Sequence, residues 1–376
     1  MPESPYAPVF ELIRGEIVES IHYGSIAVVD SHGRLNAYFG DPYTITYLRS
    51  SAKPLQVVPF LEEGGQAAFH LTAQEIALMC ASHSGTDEHI GVLEHLQAKT
   101  GVSEEDLLCG IHPLSHKPTA KAMQERGEPL TQNRHNCSGK HTSMLAYARM
   151  LGVPLEGYTD PEHPVQRKIL SAFAELCDLP LDQVHIGIDG CSAPNFATPL
   201  YNAALAIARL CDPENAAPSM NPQRIAACHS ITQAMLNYPN MVGGPNSFDT
   251  LLMSAADGRV LAKGGAKGYQ ILGLFEGVLR PGFPGIGIAY KISDGDLKAR
   301  SLSSGDSRGH VRPAVALEIL RQLRSLPDEA VESLADYGPE FSLYNWQKLL
   351  VGQGRPCFQL KSEESMIGRS SKETRN

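Results

Sequence analysis

The period of the hydrophobic pattern changes twice along this chain, and that change limits the architectures open to it. Near the start, VFELIRGEIVES and HYGSIAVVDSHGRLNAYFG alternate apolar and polar residues, the two-residue period of strands with one buried face. Asp30-Ser31-His32-Gly33 supplies the turn of a hairpin. From Lys53 to Gly101 the spacing becomes helical, in PLQVVPFLEEGG and TAQEIALMCASHSGTDEHIGVLEHLQAKTG, and helical patterns recur at 137–152, 162–177, 198–211 and 222–238. The segment VHIGIDGCSAPNF reads as strand and turn between two of them. Strand-like runs return near 259–300 as RVLAKGGAKGYQILGLF, VLRPGFPGIGIAYKI and LKARSL, with Ser293-Asp294-Gly295-Asp296 as the turn between the last two. A helix at 312–324 follows, and residues 361–376 read as a polar tail.

Sheet, then helices, then sheet predicts an α+β fold. The expected form is one mostly antiparallel sheet drawn from both chain ends, about 8–48 and 240–325, packed with a helical lobe at about 50–238. The whole of 1–376 is expected to form a single catalytic unit. Residues 112–136 are polar and contain proline, which suggests a surface excursion. Ser82-His83-Ser84-Gly85 interrupts an apolar helix with small polar residues, and Asp87 is placed to cap the helix that follows.

A formal charge of −9 argues against a broad nucleic-acid surface, because phosphate binding needs clustered Lys and Arg in excess. A small-molecule substrate fits better. No run of about 18 apolar residues is present, and MPESPYAPVFELIRGE lacks the layout of a signal peptide, so a cytoplasmic protein without a membrane span is expected. The eight cysteines, at 80, 109, 137, 177, 191, 211, 228 and 357, are spread as reduced thiols would be, not as a disulfide framework.

Four local patterns carry chemistry. Ser50 and Lys53 have S-x-x-K spacing where a helical pattern begins, so a lysine amine can take the serine proton if its surroundings leave it neutral. Taken singly, the same pair reads more readily as a helix N-cap followed by a solvated lysine. Ser82 in CASHSGT stands at the end of an apolar run, and Lys263 in AKGGAKG sits where glycines let backbone approach closely. Each also has a plain structural reading as a turn hydroxyl or a strand-end lysine. The fourth pattern is Cys137, Lys140 and His141 on one segment with Asp189-Gly190-Cys191 on another. Two thiolates and one nitrogen, from Lys140 or His141, would leave a tetrahedral zinc with an open position. Two buried cysteines are the alternative. Arg49, Asp189 and His141 stand beside these motifs with charges suited to the carboxylate and ammonium groups of an amino acid.

Taken together and in order, LRSSAKPLQ, ASHSGT, NCSGKHTSML, DGCSAPNF and AKGGAKG resemble the rhizobial-type, or class 3, L-asparaginases across roughly residues 10 to 325. The resemblance implies a fold similar to serine β-lactamases and penicillin-binding proteins. It also implies two tandem serine–lysine pairs, Ser50 with Lys53 and Ser82 with Lys263, and zinc at Cys137, Lys140 and Cys191. Members of that family are homodimers that convert L-asparagine to L-aspartate and ammonia with little action on glutamine. Lys267 departs from the family pattern, which has an acidic residue there. The expected mechanism has Ser50 as nucleophile, Lys53 as base, Ser82 and Lys263 relaying protons, and zinc positioning the substrate. Three other readings share part of this pattern: a penicillin-binding-type serine hydrolase or acylase, a zinc or thiol redox-sensing binding protein, and a glutaminase.

Overall fold

The computed structural model describes residues 4–295 and 310–362. Among them, strand β1 (Ala7–Arg14) folds back on β2 (Ile17–Asp30), and β2 on β3 (Leu35–Phe39). The second hairpin turns at the expected place. There Asp30 Oδ1 accepts the N–H groups of His32 and Arg34 at 3.1 and 2.9 Å, the local bonding for which aspartate is favoured in turns. The short strands β4 (Ile45–Tyr47), β5 (His185–Ile188) and β6 (Pro194–Pro199) make a separate antiparallel sheet in the order β4-β6-β5. Strands β7 (Val260–Gly265), β8 (Tyr269–Leu274), β9 (Ile286–Ile292), β10 (Phe341–Tyr344) and β11 (Leu350–Pro356) complete the main sheet.

The order of the main sheet is β10-β11-β1-β2-β9-β8-β7, with β3 also paired to β2, and every pairing is antiparallel. The two chain ends therefore meet in one sheet, Ala27 standing opposite Ala289 and Phe10 opposite Pro356. Helices cover both faces of β8. Gly273 faces Cys211 and Ile207 of the buried helix Leu200–Cys211, while Gln270, an odd number of residues away, faces Arg312 of the helix Val311–Gln322. All six residues of β8 are buried, as a strand covered on both faces requires. Each Leu or Ile enclosed between these layers contributes roughly 1.5–3 kcal/mol of burial. The fold is α+β, a helical body packed with a mostly antiparallel sheet.

Several details differ from the sequence reading. RVLAKGGAKGYQILGLF is a hairpin of two strands, β7 and β8, not one run. Residues 341–356, left unassigned above, supply β10 and β11. The polar excursion at 112–136 contains the helix Lys117–Arg126, of which only Met123 is buried. Thr86, not Asp87, caps the helix Asp87–Thr100, its hydroxyl accepting from the His89 N–H. LKARSL, Asp296 and the tail beyond residue 362 lie outside the described residues; Lys361 pairs with Tyr38. No helix among the described residues is long and apolar enough to cross a membrane.

Candidate active site

Four segments converge on one cleft. The short turn Arg49–Ala52 runs directly into the helix Lys53–Glu62, which stations Ser50 and Lys53 three residues apart on a continuous helical path. The loop after the helix Ala73–Met79 carries Ser82, whose N–H is tied to Val242 O at 2.9 Å. Strand β7 brings Lys263 in from the main sheet. The helix Ser138–Leu151 begins beside them because Gly139 lies flat on Leu78: a Cβ there would stand 2.3 Å from Leu78 O.

At the centre, the Ser82 hydroxyl lies 3.0 Å from Lys53 Nζ and 3.0 Å from Lys263 Nζ. Both lysines are buried, at 2% and 1% exposure. Lys53 Nζ also donates to Ala81 O and Asn136 O, and Lys263 Nζ to Gly264 O at 2.8 Å. Burial pulls the Lys263 amine down to about 7, with Lys53 and Arg312 acting in the same direction and Asp249 against it. Ser50 is half-buried and lines the same cleft of about 300 Å³, together with Ser82, Asn136, Asp249, Lys263 and Arg312. Among the described residues, its hydroxyl bonds to neither lysine. Its neighbour Ser51 is buried instead and donates to Lys263 O at 2.8 Å, pinning the turn to β7.

Lys140 Nζ donates to Cys191 Sγ at 3.2 Å, and Cys137 lies in the same buried group. A hydrogen bond from Cys191 holds the Cys137 thiol well below its usual range against the effect of burial, and Lys53 and Lys140 add to it. Burial would lower the Lys140 amine, but the charges of Cys191 and Cys137 outweigh it and raise it. His141 Nδ1 and the Tyr158 hydroxyl share a hydrogen bond of 2.6 Å, and the ring's Nε2 is buried. Burial lowers this imidazole to about 4, so it is neutral. No three His, Cys, Asp or Glu side chains among the described residues are arranged to hold a metal ion, so a metal here needs the Lys140 nitrogen as a donor. Two thiols and a buried nitrogen fit zinc in kind.

Arg49 and Asp189 are bonded to each other, at 2.7 Å from Nη2 and 3.3 Å from Nε, and neither lines the cleft. Burial would raise the Asp189 carboxyl, but the bond to Arg49 holds it below the usual carboxylate range. Arg49 has φ +52° and donates its N–H to Asn195 Oδ1 at 3.1 Å. A left-handed arginine costs of order 1 kcal/mol, and it stands immediately before Ser50. Lys267 sits in the β7–β8 turn with φ +62°, its carbonyl accepting from Lys291, and does not line the cleft.

The sequence reading gave no role to Asp249, Arg312, Asn136 or His83. His83 is buried and pushed well below its usual range, chiefly by burial. Its Nδ1 accepts from Gly85 N–H at 3.2 Å, so its Nε2 carries the proton given to Ser138 Oγ at 2.8 Å. This neutral ring ties the Ser82 loop to the helix that carries Lys140.

A hydroxyl thus stands between two buried amines, with a second serine in the same cleft of an α+β chain. The chain belongs to the L-asparaginase II family, whose profile matches residues 10–356. It is an amidohydrolase by that membership. None of the curated protein sequences compared matches it. Among solved structures it is similar to a probable glutaminase from Bacillus subtilis complexed with 6-diazo-5-oxo-L-norleucine, at 13% identity over 81% of this chain and 84% of that one, with a TM-score of 0.40. It is also similar to a β-lactamase from Burkholderia ambifaria, at 15% identity over 76% and 89%, with a TM-score of 0.34.

Proposed function

We propose that this chain hydrolyses L-asparagine to L-aspartate and ammonia, with Ser50 as nucleophile and Lys53, Ser82 and Lys263 as the proton path. The observation that carries the reading is the Ser82 hydroxyl at 3.0 Å from two buried amines, beside Ser50 in one cleft. Ser50 Oγ attacks the side-chain amide carbon, and its proton reaches Lys53 Nζ by way of the Ser82 hydroxyl. Ala81 O and Asn136 O take two N–H groups of that amine, leaving its third position turned to Ser82. Ser82 then hands protons between Lys53 and Lys263, and the departing ammonia takes one as the C–N bond breaks. The β-aspartyl ester on Ser50 is cleaved by water, whose proton returns through the same amines. Positioned proton transfer of this kind is worth about 10²–10⁴-fold in rate.

Asparagine also needs its α-carboxylate and α-ammonium held, and Arg49 and Asp189 offer the two charges side by side, with His141 as a third contact. Lysine cannot reproduce the guanidinium fork to Asp189. Arg49→Lys is therefore expected to raise KM for asparagine about tenfold with kcat little changed. An unchanged KM in steady-state assays would remove Arg49 from substrate binding.

Zinc would be held by Cys137, Lys140 and Cys191. Its binding there must displace the proton from Lys140. When bound it supplies a fixed charge that orients the substrate, since serine and lysine already provide nucleophile and base. The deciding experiment is ammonia release from L-asparagine and, separately, from L-glutamine, with bound metal quantified on the same preparation. Rapid release from asparagine, little from glutamine and about one zinc per chain are expected. One methylene is worth only about 1–3 kcal/mol in an apolar pocket, so the glutamine arm is a real test of specificity. No ammonia from either amide would overturn the reading and favour a penicillin-binding-type hydrolase, which a labelled penicillin would acylate.

A further inference from the structure

We propose that Asp249 is a positioning residue for Lys263: its carboxylate clamps the amide that follows Lys263 and so fixes where the amine stands beside Ser82. The clamp is direct. Asp249 Oδ2 accepts the Gly264 N–H at 2.6 Å, while the carbonyl of the same glycine accepts from Lys263 Nζ at 2.8 Å. Both ends of Gly264 are thus held, one by the carboxylate and one by the amine it serves. The carboxylate is held in turn, since Gln270 Nε2 donates to Asp249 Oδ1 at 3.2 Å and Arg312 donates to Gln270 Oε1. Arg312 Nη1 also lies 3.8 Å from Asp249 Oδ1. Asp249 reaches this place from the helix Phe248–Ala255, Gln270 from β8 and Arg312 from the helix Val311–Gln322, so three elements aim one carboxylate at the strand end.

The clamp also carries charge. Lys263 is faced by Asp249, by Lys53 from the opposite side of Ser82, by Arg312 and by Cys137. After burial, Asp249 is the largest influence on the amine and favours the protonated form, as Cys137 does more weakly; Lys53 and Arg312 oppose it. Removing the negative charge lowers the pH at which Lys263 gives up its proton, and removing Arg312 raises it.

The inference rests on the role given above to Lys263, and its test separates the two. Asp249→Asn keeps an oxygen for the Gly264 N–H but loses the charge, so the acid limb of kcat/KM for asparagine moves about one pH unit lower. Arg312→Met moves that limb in the opposite direction by a smaller amount. Asp249→Ala removes clamp and charge together and lowers kcat about 10²-fold, the scale of a displacement near 1 Å. Opposite shifts from Asp249→Asn and Arg312→Met are not produced by a merely structural role, and either variant alone suffices should the other fail to fold. Profiles that superimpose on the parent enzyme, with Lys263→Met inactive, would overturn the role of Asp249 alone. Full activity in Lys263→Met would overturn the role of Lys263, and that of Asp249 with it.

Discussion

Ser50→Ala lowers kcat for asparagine by about 10⁴-fold or more while leaving the unfolding free energy within about 0.5 kcal/mol of the parent. The second half of that expectation follows from the structure. Ser50 is half-buried, and its hydroxyl makes no bond to either lysine among the described residues, so alanine removes little that holds the fold. Ser82→Ala behaves differently. It deletes the acceptor shared by Lys53 and Lys263, leaving two buried amines with no bridge between them. The expected loss is smaller, about 10²–10³-fold in kcat, because a water can partly replace a relay hydroxyl but not a nucleophile. Rapid-quench detection of an ester on Ser50 links the rate to the covalent step. A Ser50→Ala enzyme that keeps a tenth of parental kcat, beside an inactive Ser82→Ala, would move the nucleophile to Ser82.

The motifs for these residues were readable in the sequence, but the bonding among them was not. S-x-x-K spacing gave Ser50 and Lys53 a common path into a helix, yet Lys53 turns to Ser82, because the Ala81 and Asn136 carbonyls fix its direction. Those carbonyls belong to segments 28 and 83 residues away, beyond the reach of local spacing. Asp249 and Arg312 carried no signal. An aspartate in the first turn of a helix reads as a favourable dipole partner, and only the three-dimensional meeting of that helix with β7 turns it toward Lys263. Arg49 and Asp189 were paired as charges by sequence and are paired in space, but by one another.

In the fold, the elements that were found have apolar periods, and those that were not have physical reasons to lack them. The helix Lys117–Arg126 buries a single residue, so it shows no apolar stripe. Strand β11 reads LVGQGRP, a poor strand by composition. Its Gly354 is required by packing: a Cβ there would stand 2.6 Å from the ring of Phe341 and 2.9 Å from that of Phe10. The residue that lets β11 seat against its neighbours is the one that hides it from a propensity reading.

Lys263→Met raises the unfolding temperature at pH 6, and the gain disappears toward pH 10. In the unfolded chain a lysine amine keeps its proton to about pH 10.5, whereas folded Lys263 releases it near pH 7 because it is buried. Between those values the unfolded state binds more protons than the native state, so this residue's contribution to native stability improves as pH rises. Below pH 7 both states are protonated and the native state carries the whole cost of an enclosed ammonium, on the order of 5 kcal/mol. Methionine has similar length and no charge to enclose, so it relieves that cost where it is largest and offers nothing where the amine is already neutral. The measurement is a pair of thermal melts at each of several pH values, read as the difference between variant and parent, which cancels every other titration. A difference that stays constant from pH 6 to pH 10 would mean that Lys263 does not titrate near neutrality. It could not then accept a proton from Ser82 at physiological pH, and the proton path would have to end at Lys53.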